Sequence, residues 1–205
     1  MGRVGMLAFG VSVMAAWALA ACSLTSQTGS WKDEEYTGGP LGRVLVIAVA
    51  RDPENGRIFE DRLVERLGER EVRGLASHRV FDGPQMLTRE VVEDEVRNSQ
   101  LDAVLVTRMI GSRRDAVQAP GTVFTDSYRG GWHGYYARSY ELRNSPGYTV
   151  EFEILSLESN AFDTGTGELI WSASFETVAQ GTDDDLIGSL IGAVLKSLEK
   201  QRLIP

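Results

Sequence analysis

The sequence predicts a two-layer α/β (α+β) domain. Its order is β-α-β-α-β-insertion-β-β-α, with a mixed sheet carrying its helices mainly on one face. Three observations carry this expectation. Arg43–Ala50 and Asp102–Ile110 are continuous apolar runs with the length and β-branched content of buried central strands. Two amphipathic helical patterns lie between them. Near the C-terminus, two alternating segments flank a Gly-containing turn and lead into a long helical stripe, the pattern of an antiparallel hairpin followed by a helix.

Taken in order, the folded part starts at residue 43, and the domain is expected to span 43–205. After the first strand, Asp52-Pro53-Glu54-Asn55-Gly56 offers loop chemistry and helix-start residues. Phe59, Leu63 and Leu67 then recur at i, i+4, i+8 with charges between them, which predicts a helix packing one stripe on the sheet. Val72–Val80 reads as a weaker strand. Thr88 caps a second helix with Val91, Val92 and Val96 inward. Residues 111–147 break the periodicity and read as a long insertion. Tyr148, Val150, Phe152 and Ile154 alternate with polar residues, and a phase slip near Leu155 and Leu157 predicts a bulge. Asp163–Gly167 is a turn, in which Gly165 and Gly167 are expected to supply positive φ. Leu169, Trp171, Ala173 and Phe175 form the return face. The last helix runs through Leu186, Leu190, Val194 and Leu198, with Thr182 as cap, Asp183–Asp185 at its positive end and Lys196, Lys200 and Arg202 at its negative end. Gly188 and Gly192, one turn apart, read as close packing of this helix on its sheet, or else as a contact between two helices.

Composition narrows the function. The 205 residues are 42% apolar and 24% charged, ordinary values for one globular domain with a tail. A net charge of −8 disfavours nucleic acid as a partner. A single cysteine excludes an intrachain disulfide and a cysteine-based zinc site. His78 and His133 stand far apart, without metal-ligand spacing. Asp163-Thr164-Gly165 spells the aspartic-protease triplet, but that chemistry needs two carboxylates sharing a proton, and no second copy exists. No phosphate-binding glycine motif and no serine-nucleophile motif occurs. The expectation is a protein that is not an enzyme and holds neither cofactor nor metal.

The N-terminus is more specific. Arg3 is the only charge before Lys32, and Val4–Ala21 is an eighteen-residue run without ionisable side chains. A short charged start, a mildly apolar run and small residues before a break describe a secretory signal, here residues 1–21. It ends in Leu19-Ala20-Ala21-Cys22, which resembles the bacterial lipobox. That resemblance implies cleavage before Cys22 and a diacylglycerol on its thiol, with a third, amine-linked chain such as palmitate. Each buried methylene contributes about 0.8 kcal/mol to anchoring, so two or three chains hold firmly. Ser23 in place of Asp implies, by the same resemblance, sorting to the outer membrane, facing the periplasm. Residues 22–42 are polar and small and read as the acylated cysteine with a flexible tether.

The element order, with Asp102-Ala-Val-Leu-Val in the third strand and Phe162-Asp-Thr-Gly-Thr-Gly-Glu-Leu-Ile-Trp171 in the hairpin, resembles a broad group of bacterial envelope lipoproteins. The group includes the N-terminal domain of TolB, the periplasmic domain of the curli secretion channel and the lipoprotein activators of penicillin-binding proteins. Many of its members have no known activity. The resemblance spans about residues 43–200 and implies a fold. It also implies binding to other envelope proteins, through a non-catalytic binding or assembly module or, alternatively, a structural subunit of an oligomeric complex or secretion pore. It assigns no residue a role.

The insertion supplies the candidate partner-binding residues. Four of the six tyrosines, Tyr128, Tyr135, Tyr136 and Tyr140, lie there with Arg129, Trp132 and Arg138. Between Gly111 and Gly147 five bases outnumber three acids, so an acidic protein carries a locally basic, aromatic segment. Tyr, Trp and Arg dominate interface hot spots, and long insertions in compact domains are usually functional or disordered. A passive excursion folded over the sheet edge is the other reading.

Overall fold

The structure is a computed structural model that describes residues 24–81, 89–119 and 148–205. Its elements are β1 (Thr25–Lys32), β2 (Arg43–Val49), α1 (Pro53–Gly68), β3 (Arg73–Ala76), α2 (Ser77–Val80), α3 (Arg89–Ser99), β4 (Ala103–Ala119), β5 (Tyr148–Asp163), β6 (Leu169–Val178) and α4 (Asp183–Lys200). The strands form one six-stranded sheet in the order β1-β6-β5-β4-β2-β3. β2 runs parallel to β3 and β4, and the remaining neighbours are antiparallel. This is the mixed α+β sheet expected, with helices on one side.

Strand periodicity decides which residues meet the helices. Val44, Val46, Leu105, Trp171, Ala173 and Phe175 project to one face and join Phe59, Leu63 and Leu67 of α1 and Leu190, Val194 and Leu198 of α4 in a single core. Leu45, between Val44 and Val46, is also fully buried, so β2 is covered on both faces as its unbroken apolar run requires. α1 begins where Asp52 accepts from Glu54 N, with Pro53 in its first turn. It packs so closely on β3 that a Cβ at Gly74 would stand 2.9 Å from Val64 Cα. α4 starts with a reciprocal cap between Thr182 and Asp185 and runs eighteen residues.

Several boundaries differ from the sequence reading. Thr25–Lys32 is no tether: it is an edge strand, paired with β6 from Thr25↔Thr177 to Lys32↔Trp171. Its Ser, Thr and Gly content reflects a strand whose outer edge and much of whose surface face water, and Thr25 Oγ1 donates to Thr177 Oγ1 at 2.9 Å inside the sheet. Residues 111–119, taken as the start of the insertion, continue β4. The phase slip is real but sits in the opposing strand. Register shifts between Met109 and Gly111, across from Leu157 and Ser156, and leaves Ile110 unpaired and half exposed. The weak strand at 72–80 is a four-residue strand followed by the short helix α2. Within the turn only Gly167 has positive φ, at 76°, because Asp163 Oδ1 accepts from Thr166 N and closes the turn without Gly165. Gly188 and Gly192 face open space, so neither packs on the sheet. The chain end adds core that periodicity missed. Leu203 and Ile204 are buried, and Leu203 O accepts from Leu41 N at 2.8 Å.

Candidate functional site

The informative surface lies at one end of the sheet, where three features meet. The first is a two-stranded ribbon. β2 leaves β4 after Val49↔Arg108, and β6 leaves β5 after Val178↔Ile154. β4 and β5 continue through six more pairs, from Arg114↔Glu153, where Ala179 N still donates to Glu153 O at 2.8 Å, to Ala119↔Tyr148. At about 3.4 Å per residue the ribbon extends roughly 20 Å past the sheet. Directly opposed residues share a face. One face carries Val117 opposite Val150, then Phe152 opposite Asp115; the other carries Arg114 with Glu153, Ala116 with Glu151, and Gln118 with Thr149. Val117 is 54% and Val150 37% exposed. At the ribbon's base, Arg113 Nη2 donates to Glu176 Oε2 at 3.0 Å, tying β4 to β6 across β5. The hydrogen bond from Arg113 holds the Glu176 carboxyl below its ordinary pKa, and Glu176 in turn raises that of Arg113.

The second feature is an apolar cavity of about 240 Å³ between the N-terminal ends of α1 and α4. Phe59, Leu155, Leu157, Leu186, Ile187 and Leu190 form its walls, while Arg51, Asp52, Arg108 and Asp183 stand around it. Asn55 Nδ2 donates to Asp183 Oδ2 at 2.8 Å and Arg62 pairs with Asp184, so polar contacts join the two helices beside the cavity. Apolar walls with charges around them suit an aliphatic or aromatic group.

The third feature is where the chain enters. Val178 N donates to Leu24 O at 3.1 Å, and Val178 lies opposite Ile154, itself opposite Arg113. Leu24 thus sits in the row from which the ribbon departs, and going back along the chain from Thr25 leads in the ribbon's direction.

Beside the cavity, a buried carboxylate ties three elements together. Glu60 is 3% exposed. Its Oε1 accepts from Ala48 N at 2.8 Å and Ser77 Oγ at 2.7 Å; its Oε2 accepts from His78 N at 3.0 Å and faces His78 Nδ1 at 2.8 Å. His78 Nε2 lies 3.3 Å from Asp61 Oδ1, which also pairs with Arg79. His78 thus has two carboxylate neighbours, Glu60 and Asp61, in a clamp holding β2, α1 and α2 together. At the opposite end of the sheet, burial and the charges of Asp163 and Asp102 raise the Tyr36 pKa. Among the described residues no three His, Cys, Asp or Glu side chains form a group able to hold a metal ion, and no helix is long and apolar enough to cross a membrane.

The residues singled out from sequence, Leu19, Ala20, Ala21 and Cys22 and the cluster Tyr128, Arg129, Trp132, Tyr135, Tyr136, Arg138 and Tyr140, all lie outside the described residues. In sequence the cluster falls between Ala119 and Tyr148, the last residue of β4 and the first of β5. Sequence reasoning missed the ribbon itself. Its signal was the spacing of Val117 and Val150 at equal distances from Arg113 and Ile154, which only the pairing makes visible.

Together these features define the class of molecule: an α+β domain with an amphipathic β-ribbon and an apolar cavity at the end where its chain enters. No protein-family model matches the sequence, and no curated protein matches it. Among solved structures the chain is similar to the PelC dodecamer from Paraburkholderia phytofirmans, at 14% identity and a TM-score of 0.44 over 83% of this chain and 93% of that one. It is also similar to a lipoprotein of Neisseria meningitidis, at 14% identity and a TM-score of 0.41 over 78% of this chain and 99% of that one.

Proposed function

We propose that this chain is a non-catalytic binding or assembly module of the bacterial cell envelope, held by lipid on Cys22 at the periplasmic face of the outer membrane. The observation that carries the reading is Leu19-Ala20-Ala21-Cys22 closing an eighteen-residue uncharged run behind Arg3. The fold supports it by placing Leu24 at the edge of the sheet, so that a lipid two residues earlier holds the folded domain at short range. The module binds another envelope protein through Tyr128, Arg129, Trp132, Tyr135, Tyr136, Arg138 and Tyr140, and it uses no cofactor. Metabolic labelling with a radioactive fatty acid tests the anchor. The wild-type chain takes up label and sediments with membranes, whereas Cys22→Ser takes up none and its domain stays soluble and folded; label on the Ser variant refutes the assignment. Crosslinking in native membranes tests the partner surface, since Tyr135→Ala with Tyr136→Ala is expected to abolish capture at unchanged abundance.

A second reading, a structural subunit of an oligomeric envelope complex or secretion pore, is favoured by β1, an edge strand whose residues Ser26–Ser30 are exposed and whose outer edge has no strand partner among the described residues. Mass photometry of the detergent-solubilised chain separates the two, because a ring appears only if this reading holds.

A further inference from the structure

Among the described residues Val117 and Val150 stand exposed on one face of the ribbon, and the chain around it says what covers that pair. Cys22 stands two residues before Leu24, a reach of at most about 7 Å when extended. Leu24 lies in the row of Arg113 and Ile154. β1 and β5 are separated by one strand, so the attachment point is displaced from the ribbon by roughly 10 Å sideways. From that row the ribbon projects about 20 Å, outreaching the attachment point by about 13 Å. A bilayer close enough to hold lipid on Cys22 is therefore within reach of the ribbon in every molecule, and a perpendicular ribbon would pierce the headgroups. An amphipathic element in that position comes to rest in the interface, with its apolar face about 5–10 Å deep and its charges in water.

We propose that the β4–β5 ribbon is a second, non-covalent membrane contact: Val117 and Val150 lie on the lipid, Phe152 and the Asp115 opposite it stand nearer the sheet at headgroup level, and Arg114, Glu151 and Glu153 are turned away. The inference rests on the lipid-anchor reading above. The ribbon lies on the bilayer and does not cross it. Spanning takes about 9–11 residues per strand, against five free-standing pairs among the described residues, and the face with Arg114, Glu151 and Glu153 would then need a water-filled lumen. The contact converts a one-point anchor into a two-point one, so the domain has a defined tilt, with the face of β5 that carries Leu155, Leu157 and Glu153 turned away from the lipid.

The test uses the full-length chain, produced in Gram-negative bacteria and reconstituted into vesicles of phosphatidylethanolamine and phosphatidylglycerol. Single thiols are introduced by Val117→Cys, Val150→Cys and, on the other face, Glu151→Cys. Each is labelled with an environment-sensitive fluorophore. Spin-labelled lipid is expected to quench most of the emission at positions 117 and 150 and little at 151, with a blue shift only for the first two. Equal exposure of all three probes to water overturns the proposal. So does quenching of all three with release of an entrapped dye, the mark of a spanning ribbon. The mass of the N-terminal peptide is measured on the same preparation. An acylated peptide with unquenched probes sinks the ribbon contact alone, and an unacylated peptide sinks the anchor and the contact together. Far-UV circular dichroism checks that each variant is folded, and positions 117 and 150 are independent reporters of one face.

Discussion

Truncation of Trp171 to alanine tests the core where the hairpin meets the helices. Trp171 is fully buried, opposite Ala161 on β5 and Lys32 on β1, in the cluster that includes Phe175, Leu195 and Leu198. Removing an enclosed indole loses its transfer free energy and leaves a cavity that a strand held between two neighbours, β5 and β1, closes poorly. The expected loss is about 3–5 kcal/mol, a large part of a domain stability of about 5–15 kcal/mol. For a domain of this size that corresponds to a fall of about 6–20 °C in Tm. A second variant sharpens the test. The Trp171 Nε1–H has no hydrogen-bond partner among the described residues, and an unpaired buried donor costs about 1–3 kcal/mol. Trp171→Phe removes that donor while filling most of the space, so its net loss is about 1 kcal/mol. Urea titration followed by far-UV circular dichroism reads both, with the slope held constant so that the midpoint reports stability. An unchanged midpoint for the alanine variant, or equal damage from alanine and phenylalanine, refutes the packing of this hairpin.

Three further outcomes follow from the geometry. Glu60→Ala strands the Ala48 N–H, the Ser77 hydroxyl and the His78 N–H and is expected to cost about 2–4 kcal/mol, whereas Glu60→Gln, which retains an acceptor oxygen, costs less; urea midpoints rank them, and equal midpoints deny the clamp. Hydrogen bonds from Thr182 lower the pKa of Asp185 from its ordinary 3.8, so their stabilisation is complete above that value and fades as pH falls through the lowered one. Thr182→Val, which removes the hydroxyl bond to Asp185 Oδ2 and the acceptor for Asp185 N, is therefore expected to lower the Tm more at neutral pH than in acid, where only the loss of the backbone cap remains, as scanning calorimetry from pH 7 to pH 2 would show; a gap that does not narrow contradicts this origin. Replacing residues 115–152 with Asn-Gly joins Arg114 to Glu153 by a two-residue turn. It should leave the urea midpoint within about 1 kcal/mol, since loop length enters stability slowly, and a molten product would mean that the ribbon belongs to the core.

The parts of the fold legible in the sequence are those that bury a face. β2, α1, the hairpin and α4 announce themselves because Val44, Val46, Phe59, Leu63, Trp171, Phe175, Leu190 and Val194 must leave water at the period of their own element. β1 was illegible for the converse reason: Ser26, Gln27, Gly29 and Ser30 gain backbone pairing from β6 but almost no side-chain burial, so a strand carries the composition of a linker. The outer part of β4 is similar. Residues 112–118 are all exposed, and their strand character comes from the partner strand. Leu203 and Ile204 follow the end of a helix pattern and are too few to show a period. Of the candidate site, the lipobox-like tetrapeptide and the aromatic cluster were visible in one dimension. The cavity and the ribbon's two faces needed the register that brings distant residues side by side.

β1 opens the sheet in sequence and pairs with β6, the last strand to be made. Thr25 Oγ1 and Thr177 Oγ1 meet across 152 residues, and Lys32 reaches the carbonyl of Gln201 across 169. Contacts of that separation bear the full entropy of loop closure before they return any stability, so a chain rich in them folds slowly. Its first strand has no partner until nearly all of the polypeptide has been synthesised. Were the chain exported in extended form, as the function proposed above requires, this topology would act as a timing device: the domain cannot close its sheet prematurely, because the strand that completes its edge waits for a partner that emerges late.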